Sequence, residues 1–173
     1  MIERSFSRGK WKLRNKFQKR TYQGPGEVWQ DLRYIIKRRS IIRGAMKELV
    51  SPVFRERLML VVTGVNECRH CRTFHARGAV KVGIADIELA ELLAGQIPTN
   101  APEEEIPAMV YARYWAESEA QPDLKVAQEF IDVYGEEKAA AIHIVLRMIR
   151  VGNLLGNTAD YLLYRLTFGR AGV

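Results

Sequence analysis

Both cysteines of this 173-residue chain fall in a single C-x-x-C, Cys68 and Cys71. Two thiols that close together cannot staple distant parts of a fold, so the chain must hold itself together with a hydrophobic core instead of a disulfide framework. The length suits one domain large enough to bury such a core without a structural metal. Hydrophobic residues at 47% and charged residues at 27% are too apolar a mixture for a disordered chain. A lone C-x-x-C also points to an intracellular, reducing compartment, so a cytoplasmic location is expected. The N-terminus lacks the apolar segment of a secretory signal. The longest apolar run near the C-terminus, Ala139 to Ile149, is cut by His143 and Arg147, so no transmembrane segment is expected.

The net charge of +7 is uneven. Residues 1 to 47 hold 14 Lys and Arg against 3 Asp and Glu, and the remainder holds 13 against 17. The basicity therefore belongs to the N-terminal part. Residues 1–26 interleave Trp11, Phe17 and Tyr22 among basic residues and end at Gly24-Pro25-Gly26, a turn signal that divides a basic arm from a domain at 27–173. Such an arm suits nucleic acid or an anionic membrane. A solvated tail or an arm wrapped on a neighbouring subunit accounts for it equally well.

Apolar residues from Glu27 to about Val50 recur in steps of three, four and seven, which predicts an amphipathic helix. Ser51-Pro52 starts a second, strongly apolar helix to about Val65. The spacing predicts further helices from Asn66 or Glu67 to about Val82, from Asp86 to about Ala94, from Pro102 to about Ser118, from Pro122 to Tyr134 and from Glu136 to about Phe168. No window alternates with period two, so the chain reads as all-α, and no repeat of the cysteine motif is visible.

Successive helical residues turn by about 100°, which puts Cys71 about 60° and His75 about 20° from Cys68 on one face, with His70 about 160° away. Glu56 would lie about 120° off a continuous helix and reaches that face only if the chain bends. Gly64 and Asn66 are the candidates for the bend. A cysteine in the first turn of a helix feels unpaired N–H groups that favour thiolate, and Arg69 and Arg72 add positive charge. A thiolate attacks peroxides and disulfides, and a neighbouring thiol resolves the sulfenic acid that peroxide leaves behind. His75 suits proton transfer, and Glu56 could orient it. His70 either lines the site or is a solvated or interface residue. Farther on, Gly152 and Gly156 read as helix-packing residues, with Asn153, Asn157 and Asp160 as pocket-lining candidates.

The set Glu56, Cys68, His70, Cys71 and His75, in the pattern Glu-x11-Cys-x-His-Cys-x3-His, resembles the alkylhydroperoxidase D branch of the carboxymuconolactone decarboxylase superfamily. The resemblance runs from about Ile42 to Gly95 and continues more weakly over Arg147 to Leu166. It implies an all-helical domain in which an antiparallel helix pair carries the C-x-x-C, assembled into trimers or hexamers. It also implies a thiol peroxidase, or a disulfide reductase, with Glu56, Cys68 and His75 as a proton relay. Cys71 would be the cysteine oxidised by peroxide and Cys68 the resolving one. The substrate would be a hydroperoxide, and the reductant an external dithiol or a lipoyl protein. No metal or organic cofactor is expected, because the redox group is the Cys68–Cys71 pair itself.

Two other functions fit the same residues. One is a dithiol-disulfide adapter that passes electrons to a partner protein or lipoyl group. The other is a binding module that acts through the basic arm, with the cysteines as a redox switch. A half zinc site is the metal alternative for the C-x-x-C, but its remaining ligands would have to come from His70, His75, His143 and carboxylates.

Overall fold

The computed structural model describes residues 17–44 and 48–172. Seven helices occupy these residues, with no strand among them, as the periodicity predicts. They are α1 (Pro25–Lys37), α2 (Arg39–Gly44), α3 (Pro52–Asn66), α4 (Arg69–Lys81), α5 (Asp86–Leu93), α6 (Ile106–Glu117) and α7 (Leu124–Leu166).

Helix α3 is the centre of the fold. Ser51 caps it by accepting from the Phe54 N–H at 3.1 Å, and Pro52 fills the first turn, where its missing N–H costs nothing. Nine of its fifteen residues are buried, so it packs on several sides, against α4, α5, α6 and α7. Leu58, Leu60, Met109, Trp115, Ile142, Ile144 and Leu146 are among the fully buried side chains of the core. Each large aliphatic group removed from water contributes about 1.5–3 kcal/mol. A helix buried this completely must pair its charges. Arg57 therefore bonds Glu88 of α5 and, at 2.8 Å, Glu105 at the start of α6.

The expected helix from Glu27 to Val50 is broken. Arg38 leaves helical geometry (φ −110°, ψ 23°) and separates α1 from α2; residues 45–47 of that expected helix lie outside the described residues. The helix predicted from Pro102 begins four residues later, at Ile106. Helix α7 runs for 43 residues with a kink at Gly135 (φ 73°, ψ 158°), a conformation open only to glycine. The kink falls at the boundary predicted between Tyr134 and Glu136.

By length and composition α7 can span a bilayer, with a window of mean hydropathy 1.3, although His143 and Arg147 had set that stretch aside in the sequence. Half of the window is buried inside the fold, where Ile142, Val145 and Leu146 supply core.

Of the expected basic arm, residues 1–16 lie outside the described residues. The described portion runs along α7. Phe17 packs on Tyr161 and Tyr164, and the Tyr22 N–H donates to Thr158 at 3.2 Å. Tyr22 in turn donates to Asp31 of α1, and Arg147 of α7 bonds the same carboxylate.

Candidate active site

The bend needed to bring Glu56 to the cysteines exists, but not where the sequence placed it. Gly64 and Asn66 are both inside α3; the chain turns at Glu67, which adopts left-handed geometry (φ 55°, ψ 33°). Cys68 then stands in extended geometry as the N-cap of α4, its sulfur accepting the Cys71 N–H at 3.3 Å. Helices α3 and α4 fold back on each other. The Glu56 carboxylate meets His75 Nδ1 at 2.8 Å, and both side chains are 12% exposed.

Gly78 makes that contact sterically possible, since a Cβ there would stand 3.0 Å from the Glu56 carboxylate. The sequence reading missed this residue. Its signal was present: Gly78 is three residues after His75 and seven after Cys71, on the same helical face.

The sulfurs of Cys68 and Cys71 are 2.7 Å apart, and neither is in a disulfide. Cys68 is buried and Cys71 half-buried. The hydrogen bond from the Cys71 thiol is the main influence lowering Cys68 to about 6, against the opposing effect of burial. The N–H groups of Cys71 and His70 at the start of α4 and the charge of His70 add to it. Cys71 is raised by the same bond and by burial, while a hydrogen bond with the Asn153 side chain partly offsets the rise. These influences, with the Cys71 N–H directed at the Cys68 sulfur, favour the thiolate on Cys68, the more buried of the two. Among the described residues no hydrogen bond joins His75 to either sulfur; it stands one helical turn beyond Cys71.

Helix α7 forms the floor of the site. A Cβ on Gly156 would lie 2.9 Å from the Cys68 sulfur and one on Gly152 would lie 3.9 Å from the Cys71 sulfur. These glycines, read from the sequence as helix-packing residues, make room for the thiols. Asn153, Asn157 and Asp160 are fully buried and bonded beneath the site. Asn153 donates to Thr63 at 3.1 Å and accepts from Asn66 at 3.2 Å, and Asn157 donates to the Asn66 carbonyl at 2.6 Å. A cavity of about 430 Å³ opens beside them, bordered by Asn66, Leu154, Arg147 and Arg150.

His70 points away from the His75 face, as its position on the helix predicts. Its Nε2 lies 3.0 Å from Asp160 Oδ1, which also accepts from Arg69 at 2.8 Å, while Lys19 bonds Oδ2 at 3.1 Å. His143 is elsewhere. It packs among Tyr111, Phe130 and Trp115, where burial pushes its pKa down to about 4.

Glu56, Cys68, His70, Cys71 and His75 all fall in a segment with a recognisable family pattern. Residues 37–117 match the carboxymuconolactone decarboxylase family. The matched segment supports the superfamily that the cysteine motif resembles, and it runs from the last residue of α1 to the end of α6. Helix α7, which supplies Gly152, Asn153, Gly156 and Asp160, lies beyond the match. Comparison with curated proteins and with solved structures yields no match.

Proposed function

We propose that the protein is a thiol-dependent peroxidase of the alkylhydroperoxidase D type, reducing hydroperoxides through Cys71 and Cys68. The observation that carries this reading is the pairing of two free cysteine sulfurs 2.7 Å apart with a Glu56–His75 couple one helical turn away.

The reaction starts when Cys68 takes the Cys71 proton along their hydrogen bond, leaving the more exposed sulfur as the nucleophile. The Cys71 thiolate attacks the terminal peroxide oxygen and the O–O bond breaks. The alcohol leaves with a proton delivered through His75, and Cys71 becomes a sulfenic acid. Cys68 gives its proton to His75 and attacks the Cys71 sulfur. The S–O bond breaks and water leaves. Two electrons pass from the sulfurs to the peroxide; one proton comes from the thiol pair and one from solvent. An external dithiol or a lipoyl protein returns the pair to thiols by exchange. Glu56 holds His75 on Nδ1, which leaves Nε2 for proton transfer.

This reading also takes the protein as a homo-oligomer acting in the cytoplasm. Exposed Trp29 and Ile36 on α1 and Leu162 and Leu166 on α7 support assembly.

Peroxide consumption with dithiothreitol as reductant tests the proposal. Turnover is expected in the wild type and is lost in Cys71→Ser and in Cys68→Ser. A Cys68→Ser, Cys71→Ser double variant that turns over normally would contradict it. Fast exchange with disulfide substrates beside sluggish peroxide reduction would instead assign the dithiol-disulfide adapter role.

A further inference from the structure

Asp160 is a fully buried carboxylate at the level of the cysteines but on a different helix, and the peroxidase chemistry above gives it no part. Burying an ionised carboxylate is costly unless it is paired. Asp160 has three cationic or imidazole partners: Arg69, His70 and Lys19. Their exposures differ. Lys19 is 14% exposed, Arg69 48% and His70 60%, so the side chain with the most freedom to swing into solvent is His70. Among the described residues its ring is tied down by Asp160 and by one long contact to Arg69 at 3.4 Å.

The location of that ring matters. Gly156 is bordered by both the Cys68 sulfur and the His70 ring, which would lie 2.9 Å and 3.9 Å from a Cβ placed there. Gly156 and Asp160 are one turn apart on α7, so the carboxylate holds the imidazole on the side of the glycine where Cys68 rests. The ionisable groups around this corner are Cys71, Arg69 and His70 on α4, Asp160 on α7 and Lys19 on the N-terminal segment. Glu56 and His75 pair one helical turn beyond Cys71.

We propose that Asp160 is a positioning residue that fixes His70 beside the Cys68 sulfur and thereby sets how readily that sulfur loses its proton. The proposal deepens the peroxidase reading by giving His70 and Asp160 a shared task in it. It concerns only thiol ionisation, so it can fail while that reading stands, and the reverse also holds.

The test is the pH profile of Cys68 alkylation by iodoacetamide in the reduced protein, followed by peptide mass spectrometry in a Cys71→Ala background. Asp160→Asn is expected to move the inflection to higher pH and to slow alkylation severalfold near neutrality. His70→Ala is expected to do the same, and the Asp160→Asn, His70→Ala combination to add nothing to His70→Ala alone. Lys19→Gln breaks an Asp160 ion pair while leaving His70 in place, and is expected to leave the inflection where it was. Additive shifts from Asp160→Asn and His70→Ala would overturn the proposal, as would a shift in Lys19→Gln equal to that in Asp160→Asn. If Asp160→Asn does not fold, His70→Ala decides the matter on its own, and an unshifted profile there overturns the proposal.

Discussion

The carboxylate of Glu56 lies 2.8 Å from Nδ1 of His75, although nineteen residues and a helix reversal separate them. A carboxylate on one ring nitrogen fixes the tautomer and leaves the other nitrogen to move protons. Glu56→Gln keeps the shape and removes the charge. Peroxide turnover is expected to fall about tenfold to hundredfold, at the low end of general acid–base effects because His75 remains. Cys68 alkylation should change little. Steady-state kinetics beside alkylation rates separate the two effects.

The contact between the two sulfurs makes a pH prediction. Cys68 is lowered to about 6, chiefly by the Cys71 thiol, so alkylation of Cys68 should rise as pH increases through about 6 and level off above it. Cys71→Ala removes the largest cause. The inflection is then expected to move up toward the ordinary thiol value, about 8.5. An unchanged inflection in that variant would show that the helix N-terminus alone stabilises the thiolate.

Gly152 and Gly156, the two α7 glycines beneath the sulfurs, should behave differently. A methyl at Gly156 would stand 2.9 Å from the Cys68 sulfur, which α4 holds in place. Overpacking outweighs the gain in helix propensity, so Gly156→Ala is expected to destabilise the reduced protein by about 1–2 kcal/mol. At Gly152 the nearest atom is 3.9 Å away, and Gly152→Ala is expected to be neutral or to stabilise by up to about 1 kcal/mol. Thermal or urea unfolding of the two variants provides the comparison.

Asp160 makes stability depend on acid. Burial opposes its ionisation, but hydrogen bonds from His70, Lys19 and Arg69 outweigh that and hold its carboxyl below the usual value. A lowered native value means that its contribution is complete above about pH 4 and shrinks as pH falls through the native value. Asp160→Ala is expected to cost about 2–3 kcal/mol near neutrality, less than a fully buried pair because two of its partners are half exposed. The gap between wild type and variant in urea unfolding should close in acid.

Much of this arrangement was legible in the sequence because it depends on local rules. The shared face of Cys68, Cys71 and His75 follows from helical rotation, and the break at Gly135 follows from backbone freedom. The turn between α3 and α4 was misplaced because glycine and asparagine are the usual residues for such conformations. Here Glu67 adopts the left-handed geometry itself, and the packing of α4 on α3 makes it worthwhile. The contacts that matter most beyond the motif, Gly78 with Glu56 and Gly156 with Cys68, arise between helices. A single sequence carries no register between helices so far apart in the chain, so Gly152 and Gly156 could not be assigned to the sulfurs in advance. Asp160 was marked as a polar residue of α7, but its partners come from two distant segments.

The most direct measurement for the central claim is a titration of the fully reduced protein with substoichiometric hydroperoxide, without any external reductant, read by intact mass and peptide mapping. One peroxide consumed should convert one chain to a Cys68–Cys71 disulfide, with the loss of two hydrogen atoms and no retained oxygen. Peroxide that disappears while both thiols stay free, or thiols that remain reduced while peroxide persists, would contradict a peroxidase built on this pair.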